Sequence, residues 1–258
     1  MKRYLSPLIN SIFNILGYNL ISKKHLRYTL NNYLAHIVKL GFNPGTIIDV
    51  GVGYGTHDLY KYFPDAKHIL IEPLIEFKEN LMEIGKTYDI EYVISAAGSQ
   101  SGTTILNVHP DLEGSSIFKE MEGEHVDGFE RSVPVVTLNE VCSGKQLITP
   151  FLLKMDVQGA EIEVLEGSKS ILEKVDIIIV ETSLYNFFKM GPQIHDVISY
   201  MKSIDYVIHD VFGPQYRPID GSLSQIDIAF VNENGPFRRQ HVYATKEQRQ
   251  IIHLNKIR

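Results

Sequence analysis

A single cysteine, Cys142, stands in 258 residues. That excludes an internal disulfide framework and a thiolate zinc cluster within one chain, and makes a reducing, cytoplasmic setting the expectation. The ten histidines contain no H-x-H or H-x-x-x-H pair, so no metal site is written in local spacing. Positive charge is short as well: 25 Lys and Arg against 31 Asp and Glu give a formal charge of −6. This argues against a nucleic-acid binder, whose surface must displace counterions from phosphates. A membrane-spanning run is also missing. The apolar opening from Tyr4 to Ile21 is broken by Ser6, Pro7, Asn10, Ser11, Asn14, Gly17 and Asn19, whereas a span needs about 20 mostly apolar residues. No small-residue cleavage site follows a compact apolar core, which weighs against a secretory signal. Leu5, Leu8, Ile9, Ile12, Phe13 and Leu16 recur instead at three- and four-residue intervals. That spacing predicts an amphipathic helix that packs on the body, on another subunit of a homo-oligomer, or on a membrane surface as a peripheral contact.

Against these absences stands a recurrent pattern of short β-branched runs that end in an acid or a glycine turn. Residues 46–56 read T-I-I-D-V-G-V-G-Y-G-T. Ile47, Ile48 and Val50 predict a buried parallel strand, and Gly51, Gly53 and Gly55 permit a sharp turn with close approach to a ligand. Asp49 sits at the carboxyl end of that strand, the edge at which open α/β sheets bind ligands. An acid there suits a ligand bearing hydroxyls or positive charge better than one led by phosphate. A second strand, His68 to Ile71, ends in Glu72-Pro73. Glu72 follows Asp49 by one β-α-β unit and is predicted to accept hydrogen bonds from both hydroxyls of a ribose; Pro73 closes the strand and leaves Glu72 facing the crevice. A third strand, Ile90 to Ile94, leads into Ser95-Ala96-Ala97-Gly98, small residues that leave room for a flat ring.

Further along, residues 103–108 predict an extra strand, and residues 109–132 a long connection whose functional reading is a lid over the substrate. Thr137 and Glu140 fit a capping box. The stretch 151–161, F-L-L-K-M-D-V-Q-G-A-E, is another buried strand with polar last residues and a glycine turn. Lys154 and Asp156 are two apart and share one side of the strand, while Glu161 opens the next helix. Such charges are costly to bury unless paired with each other or with a ligand. A fifth strand, Asp176 to Val180, ends in Glu181. Residues 23–41 and 193–203 predict helices, the former with Leu26, Leu30, Leu34, Ile37, Val38 and Leu40 inward. Residues 206–211 and 226–231 predict an antiparallel pair, and residues 213–218 a turn-rich loop between them that can also meet the substrate. From Arg238 to Arg258 six basic residues meet one acid, Glu247, so the tail is locally positive. Five strands separated by helices and then a hairpin argue for a doubly wound α/β sheet.

Taken together, I-I-D-V-G-V-G-Y-G at 47–55, I-E-P at 71–73, L-K-M-D-V-Q-G-A-E at 153–161, V-E-T at 180–182 and Q-I-D-I-A-F at 225–230 resemble the FkbM family of S-adenosylmethionine-dependent methyltransferases. The resemblance implies a Rossmann-like, class I methyltransferase fold: a doubly wound, seven-stranded, mostly parallel sheet with N-terminal helices. It divides the chain into a helical segment at 1–42, a methyltransferase domain at 43–235 and a basic tail at 236–258. It further implies methyl transfer from S-adenosylmethionine, usually to a hydroxyl oxygen of a sugar, glycan or secondary metabolite. On this reading Asp49, Gly51, Gly53 and Gly55 line the methionine part of the cofactor, Glu72 with Pro73 the ribose, and Ser95 and Ala96 the adenine. The family's usual D-V-G-A-N-x-G form is D-V-G-V-G-Y-G here, so the chain departs from it inside the glycine turn.

The chemistry agrees with the motifs. Methyl transfer is an in-line displacement at a sulfonium, accelerated mainly by alignment, and an aromatic face such as Tyr54 can hold the positive sulfur. An alcohol needs a base or a metal to take its proton. Asp156 is the leading candidate, directly or through a bound divalent cation, with Lys154, Glu161 and Glu181 as neighbours; His195 and His209 are alternatives more readily read as structural. A nicotinamide-dependent oxidoreductase would use the same sheet, but its fingerprint spaces the last two glycines by two residues, and here only Tyr54 separates Gly53 from Gly55. A catalytically silent cofactor-binding module is opposed by Lys154, Asp156 and Glu161 standing together.

Overall fold

A computed structural model of the chain describes residues 15, 27–123, 126 and 128–256. The amphipathic helix expected over residues 4–21 lies, Ile15 apart, outside the described residues. Of the helix expected over residues 23–41, residues 23–26, Leu26 among them, also lie outside the described residues; helix α1 (Leu30–Lys39) follows the non-helical residues 27–29, and the Thr29 hydroxyl caps it by accepting a hydrogen bond from the Asn32 amide. Its buried face is Tyr33, Leu34 and Ile37. Val38 and Leu40, expected on that face, are exposed.

Strand β1 (Thr46–Val50) is central and lies between β2 (Lys67–Glu72) and, far along the chain, β7 (Phe151–Met155), parallel to both. Period-two alternation splits its side chains between two cores. Ile48 and Val50 join one apolar cluster, and Ile47 joins another with Tyr33, Leu34 and Ile37 of α1. Apolar packing on both faces is what doubly wound sheets require. Helix α2 (His57–Tyr62) follows the glycine turn, and α3 (Lys78–Ile84) precedes β3 (Ile90–Ile94), which pairs with β2.

A second, three-stranded sheet was only half visible in sequence. It joins β4 (Ala96–Ala97), β5 (Gly102–Val108) and β6 (Phe129–Val136) in the order β4-β6-β5. The expected loop of residues 109–132 is therefore shorter, since residues 129–132 pair with residues 105–108. Helix α4 (Leu138–Cys142) is capped by the Thr137 hydroxyl, as the capping box predicts, but the Glu140 carboxylate accepts from Ser101 instead of reaching back.

After β7 come α5 (Glu161–Glu166), β8 (Val175–Ser183), α6 (Ile194–Ser203), β9 (Tyr206–Tyr216) and β10 (Leu223–Asn232), and beyond the sheet α7 (Lys246–Lys256). The large sheet has seven strands in the order β3-β2-β1-β7-β8-β10-β9. β10 is antiparallel to both its neighbours and sits between them, so the reversed strand is one place in from the edge. Residues 213–216, expected in a loop, continue β9. Gly213 takes a positive φ of 63° at an irregularity, and Pro214 is tolerated because β9 is an edge strand. Among the described residues no helix is long and apolar enough to cross a membrane.

Candidate active site

A cavity of about 500 Å³ opens at the carboxyl ends of β1, β2, β7 and β8, where ligands of open α/β sheets bind. The glycine turn forms one wall. Gly51 has a φ of +73°, and a Cβ there would stand 1.7 Å from the Asp156 carbonyl oxygen, so only glycine fits. Its amide donates to Ile71 while the Asp156 amide donates to Val50, which ties the turn to β2 and to the end of β7. Glu72 is 4 % exposed. Its two carboxylate oxygens accept from the Gly53 and Leu74 amides, each at 2.9 Å. Burial raises the Glu72 carboxyl above its ordinary range, and these two donors and Lys154 oppose the rise. The Val52 amide adds to these donors, and a carboxylate, with about four acceptor sites, still has room for a further donor. Tyr54 is 53 % exposed, with its ring 5.0 Å from that of Phe77. Ser95 directs its hydroxyl to the Ala96 and Pro134 carbonyls, so what it offers the cavity is small size.

The floor is charged. Asp49 and Lys154 are cross-strand partners of β1 and β7. Lys154 Nζ lies 3.5 Å from Asp49 and 3.6 Å from Asp156, and donates to the Gly51 carbonyl at 3.2 Å. Burial pulls the Lys154 ammonium down, but Asp49 first and then Asp156 outweigh it, and the group stays above the ordinary lysine range. Asp49 is fully buried and accepts the Tyr60 hydroxyl at 2.5 Å. That hydroxyl in turn accepts from the Thr56 amide, so Asp49 braces the turn from behind.

Asp156 and Glu181 are joined by the Gln158 side-chain amide, which donates to both, at 2.9 and 3.0 Å. Gln215 and Gln225 also donate to Glu181, at 2.8 and 2.9 Å. Burial, then Asp156 and Asp227, push the Glu181 carboxyl up to about 8 against Lys154 and Gln158. Glu161 accepts from the Gly159 amide of its own turn at 2.9 Å, and burial raises it to about 7.

Gly51, Gly53, Tyr54, Gly55, Glu72, Pro73, Ser95, Ala96, Lys154, Asp156 and Glu181 thus border one cavity, whereas Asp49 and Glu161 stand behind its wall. His195 and His209 are not on it; His209 pairs with the Tyr33 hydroxyl. Sequence reasoning did not single out Gln158, Gln225 or Asp227, and it placed Gln215 only in a turn-rich loop able to meet the substrate. Gln158, Gln225 and Asp227 lie inside the quoted motifs, but an amide carries no chemical signature of its own and Asp227 meets Glu181 only through the pairing of β10 with β8; Gln215 reaches the site because β9 runs on past Pro214. Residues 111–117, within the stretch read as a lid, line one side of the cavity. Asn107 holds this segment by donating to the Ser116 and Phe118 carbonyls, and the Ser116 hydroxyl donates to Gln158 O at 2.6 Å. Among the described residues no three His, Cys, Asp or Glu side chains are grouped as ligands of a metal ion.

Comparison with known proteins adds a family. The description "Methyltransferase FkbM domain" matches residues 49–208. No curated protein matches the chain. Solved structures with similar folds include magnesium protoporphyrin IX methyltransferase from Synechocystis with bound SAM, at 11 % identity, with 78 % of this chain and 77 % of that one covered and a TM-score of 0.45. The N-methyltransferase NodS from Bradyrhizobium japonicum is 7 % identical over 78 % of this chain and 93 % of its own, with a TM-score of 0.45. Precorrin-6y C5,15-methyltransferase from Geobacter metallireducens is 10 % identical over 81 % and 92 %, with a TM-score of 0.41.

Proposed function

The chain belongs to the FkbM family of methyltransferases, and from that premise we propose that it moves a methyl group from S-adenosylmethionine to a hydroxyl oxygen of a small molecule or glycan. The cavity's walls fit this cofactor. The Gly51 position would be filled by any Cβ, and the Glu72 carboxylate, with the Gly53, Leu74 and Val52 amides as donors, still has room to accept from a ribose hydroxyl. Ala96 and Ala97 leave space for a flat base, and the exposed Tyr54 ring offers a π-face to positive charge. When bound, S-adenosylmethionine supplies an electrophilic methyl group on a positively charged sulfur.

The observation that carries the reading is the placement of Asp156. Its side chain is 36 % exposed at the cavity floor, held between Lys154 and the Gln158 amide. In the reaction Asp156 accepts the proton of the attacking hydroxyl, Lys154 fixes its orientation, and the lid excludes water. The proton is assigned here to the chain's own side chains.

Titration calorimetry with S-adenosylmethionine, together with a mass search for one added methyl group in a panel of hydroxyl-bearing metabolites and glycans, tests the proposal. Asp156→Asn is expected to keep cofactor affinity and to lose roughly 10²–10⁴-fold in turnover. Tight NADH binding with no S-adenosylmethionine binding would sink the reading. Equal loss of affinity and turnover in Asp156→Asn would instead make Asp156 a cofactor ligand.

A further inference from the structure

The role of Asp227 is not accounted for by the chemistry above. It stands opposite Glu181 in the register of β10 on β8, so the two carboxyls leave the same face of the sheet as direct neighbours. Glu181 takes hydrogen bonds from three glutamine amides. Among the described residues nothing donates to the Asp227 carboxyl, and it packs against Gly213, where a Cβ would stand 2.4 Å from its Oδ2. The cation facing this group is Lys154, and its ammonium lies against Asp49 and Asp156. Even so, Asp49 Oδ1 is buried without a hydrogen bond. Four carboxyls, Asp49, Asp156, Glu181 and Asp227, thus act on one lysine, with Asp156 and Glu181 on the cavity and the other two behind it.

Two adjacent half-buried carboxyls on one sheet face repel each other and resist ionising together, and they titrate as a pair. Burial and then Asp156 raise Asp227 to about 7 against Lys154, while Glu181 rises to about 8. Near neutrality the pair retains roughly one proton in the absence of further positive charge. Glu181 also borders the cavity.

We propose that Glu181 and Asp227 form a proton reservoir, which gives up a proton when a cationic cofactor enters the cavity and takes one back when methyl transfer removes that charge. The inference rests on the S-adenosylmethionine reading. In the transfer the oxygen–methyl bond forms, the methyl–sulfur bond breaks with its electron pair left on sulfur, and the hydroxyl gives up its proton. Asp156 receives that proton first, and the Glu181–Asp227 pair then holds it. One positive charge disappears from the cavity as one proton is bound, so the buried floor never carries an extra uncompensated charge. The same exchange favours the cationic cofactor over its neutral demethylated product as pH rises, because deprotonation of the pair then costs less. Asp227 acts here through Glu181 and is a positioning residue for the proton.

Calorimetric titration of the full chain near pH 7.5, in buffers of different ionisation enthalpy, measures the proton exchange directly. Expected is release of roughly one proton per S-adenosylmethionine bound, and much less with S-adenosylhomocysteine. Asp227→Asn is expected to abolish most of the release while the circular dichroism spectrum stays that of the folded chain. Glu181→Gln provides the same test should that variant fail to fold. An S-adenosylmethionine enthalpy that is the same in every buffer overturns the reservoir and leaves the proposed activity standing. So does equal proton release with the two ligands, or unchanged release in a folded Asp227→Asn. Absence of S-adenosylmethionine binding overturns the proposed activity, and the reservoir with it.

Discussion

At the residue scale, Glu161 separates what a motif suggests from what a side chain does. It belongs to the most specific stretch of the sequence and was expected among the catalytic neighbours, yet its carboxyl turns inward to the Gly159 amide and is buried at 5 % exposure. Burial raises it from 4.5 to about 7. A carboxyl whose folded value lies above its unfolded one contributes stability that is present below the unfolded value and is lost as pH rises through the folded value. Stability is therefore expected to fall between pH 4.5 and about 7, by on the order of 3 kcal/mol from this group. Glu181 and Asp227 act in the same direction, with raised values of about 8 and 7. Glu161→Gln keeps a carbonyl oxygen for the Gly159 amide but cannot ionise. Its urea midpoint should decline less than the parent's over that pH window; parallel curves would show that Glu161 does not titrate there. Asp49 teaches a related lesson. Its position at a strand end was legible, but its partner Tyr60 comes from the following helix at a separation that no motif marks, so its bracing role was not.

At the element scale, what could be read depended on periodicity. The parallel strands β1, β2, β3, β7 and β8 are short apolar runs, and each was visible together with the acid or glycine that ends it. β9 was curtailed in the reading because Gly213-Pro214 looks like a turn, whereas on an edge strand it costs no ladder bond. The small sheet was half hidden because β6 alternates around exposed polar residues, and its pairing with β5 spans the lid. That segment is tied to the body by backbone bridges, Asn107 with Ser116 and Glu120 with Phe188, and by side-chain bonds. Asn107 supplies two through its amide, to Ser116 and Phe118, and Ser116 adds one to Gln158. Asn107→Ala removes both side-chain bonds; the Ser116 carbonyl keeps the Asn107 backbone amide, so the loss falls mainly on the Phe118 carbonyl, at roughly 1–3 kcal/mol. The cost should appear locally, as faster limited proteolysis between residues 109 and 123 and weaker cofactor binding with an intact sheet. Cleavage at the parent rate would show that the lid is held by its apolar packing instead.

At the scale of the whole molecule, the site exists only when the sheet is complete. Its walls come from the turn after β1, from the end of β2, from the lid, and from β7, β8, β9 and β10, so residues more than 160 positions apart, Gly51 and Gln215 among them, meet at one cavity. A ligand that bridges those elements binds the folded chain and not the unfolded one, and so must stabilise the whole. S-adenosylmethionine at 100 times its Kd should add about 2.7 kcal/mol. For a domain of this size that corresponds to a rise of roughly 5–10 °C in the unfolding midpoint. Glu72→Ala should lose the rise, since it removes both the ribose acceptor and the partner of the Gly53 amide. Asp156→Asn should keep it, because Asp156 is assigned to the acceptor's proton and not to the cofactor. A scanning fluorimetry series with S-adenosylmethionine, S-adenosylhomocysteine and NADH separates these cases. No shift with the first two, or a larger one with NADH, would mean that the cavity is built for a different ligand. A shift retained in Glu72→Ala would move the ribose contact elsewhere on the same sheet edge.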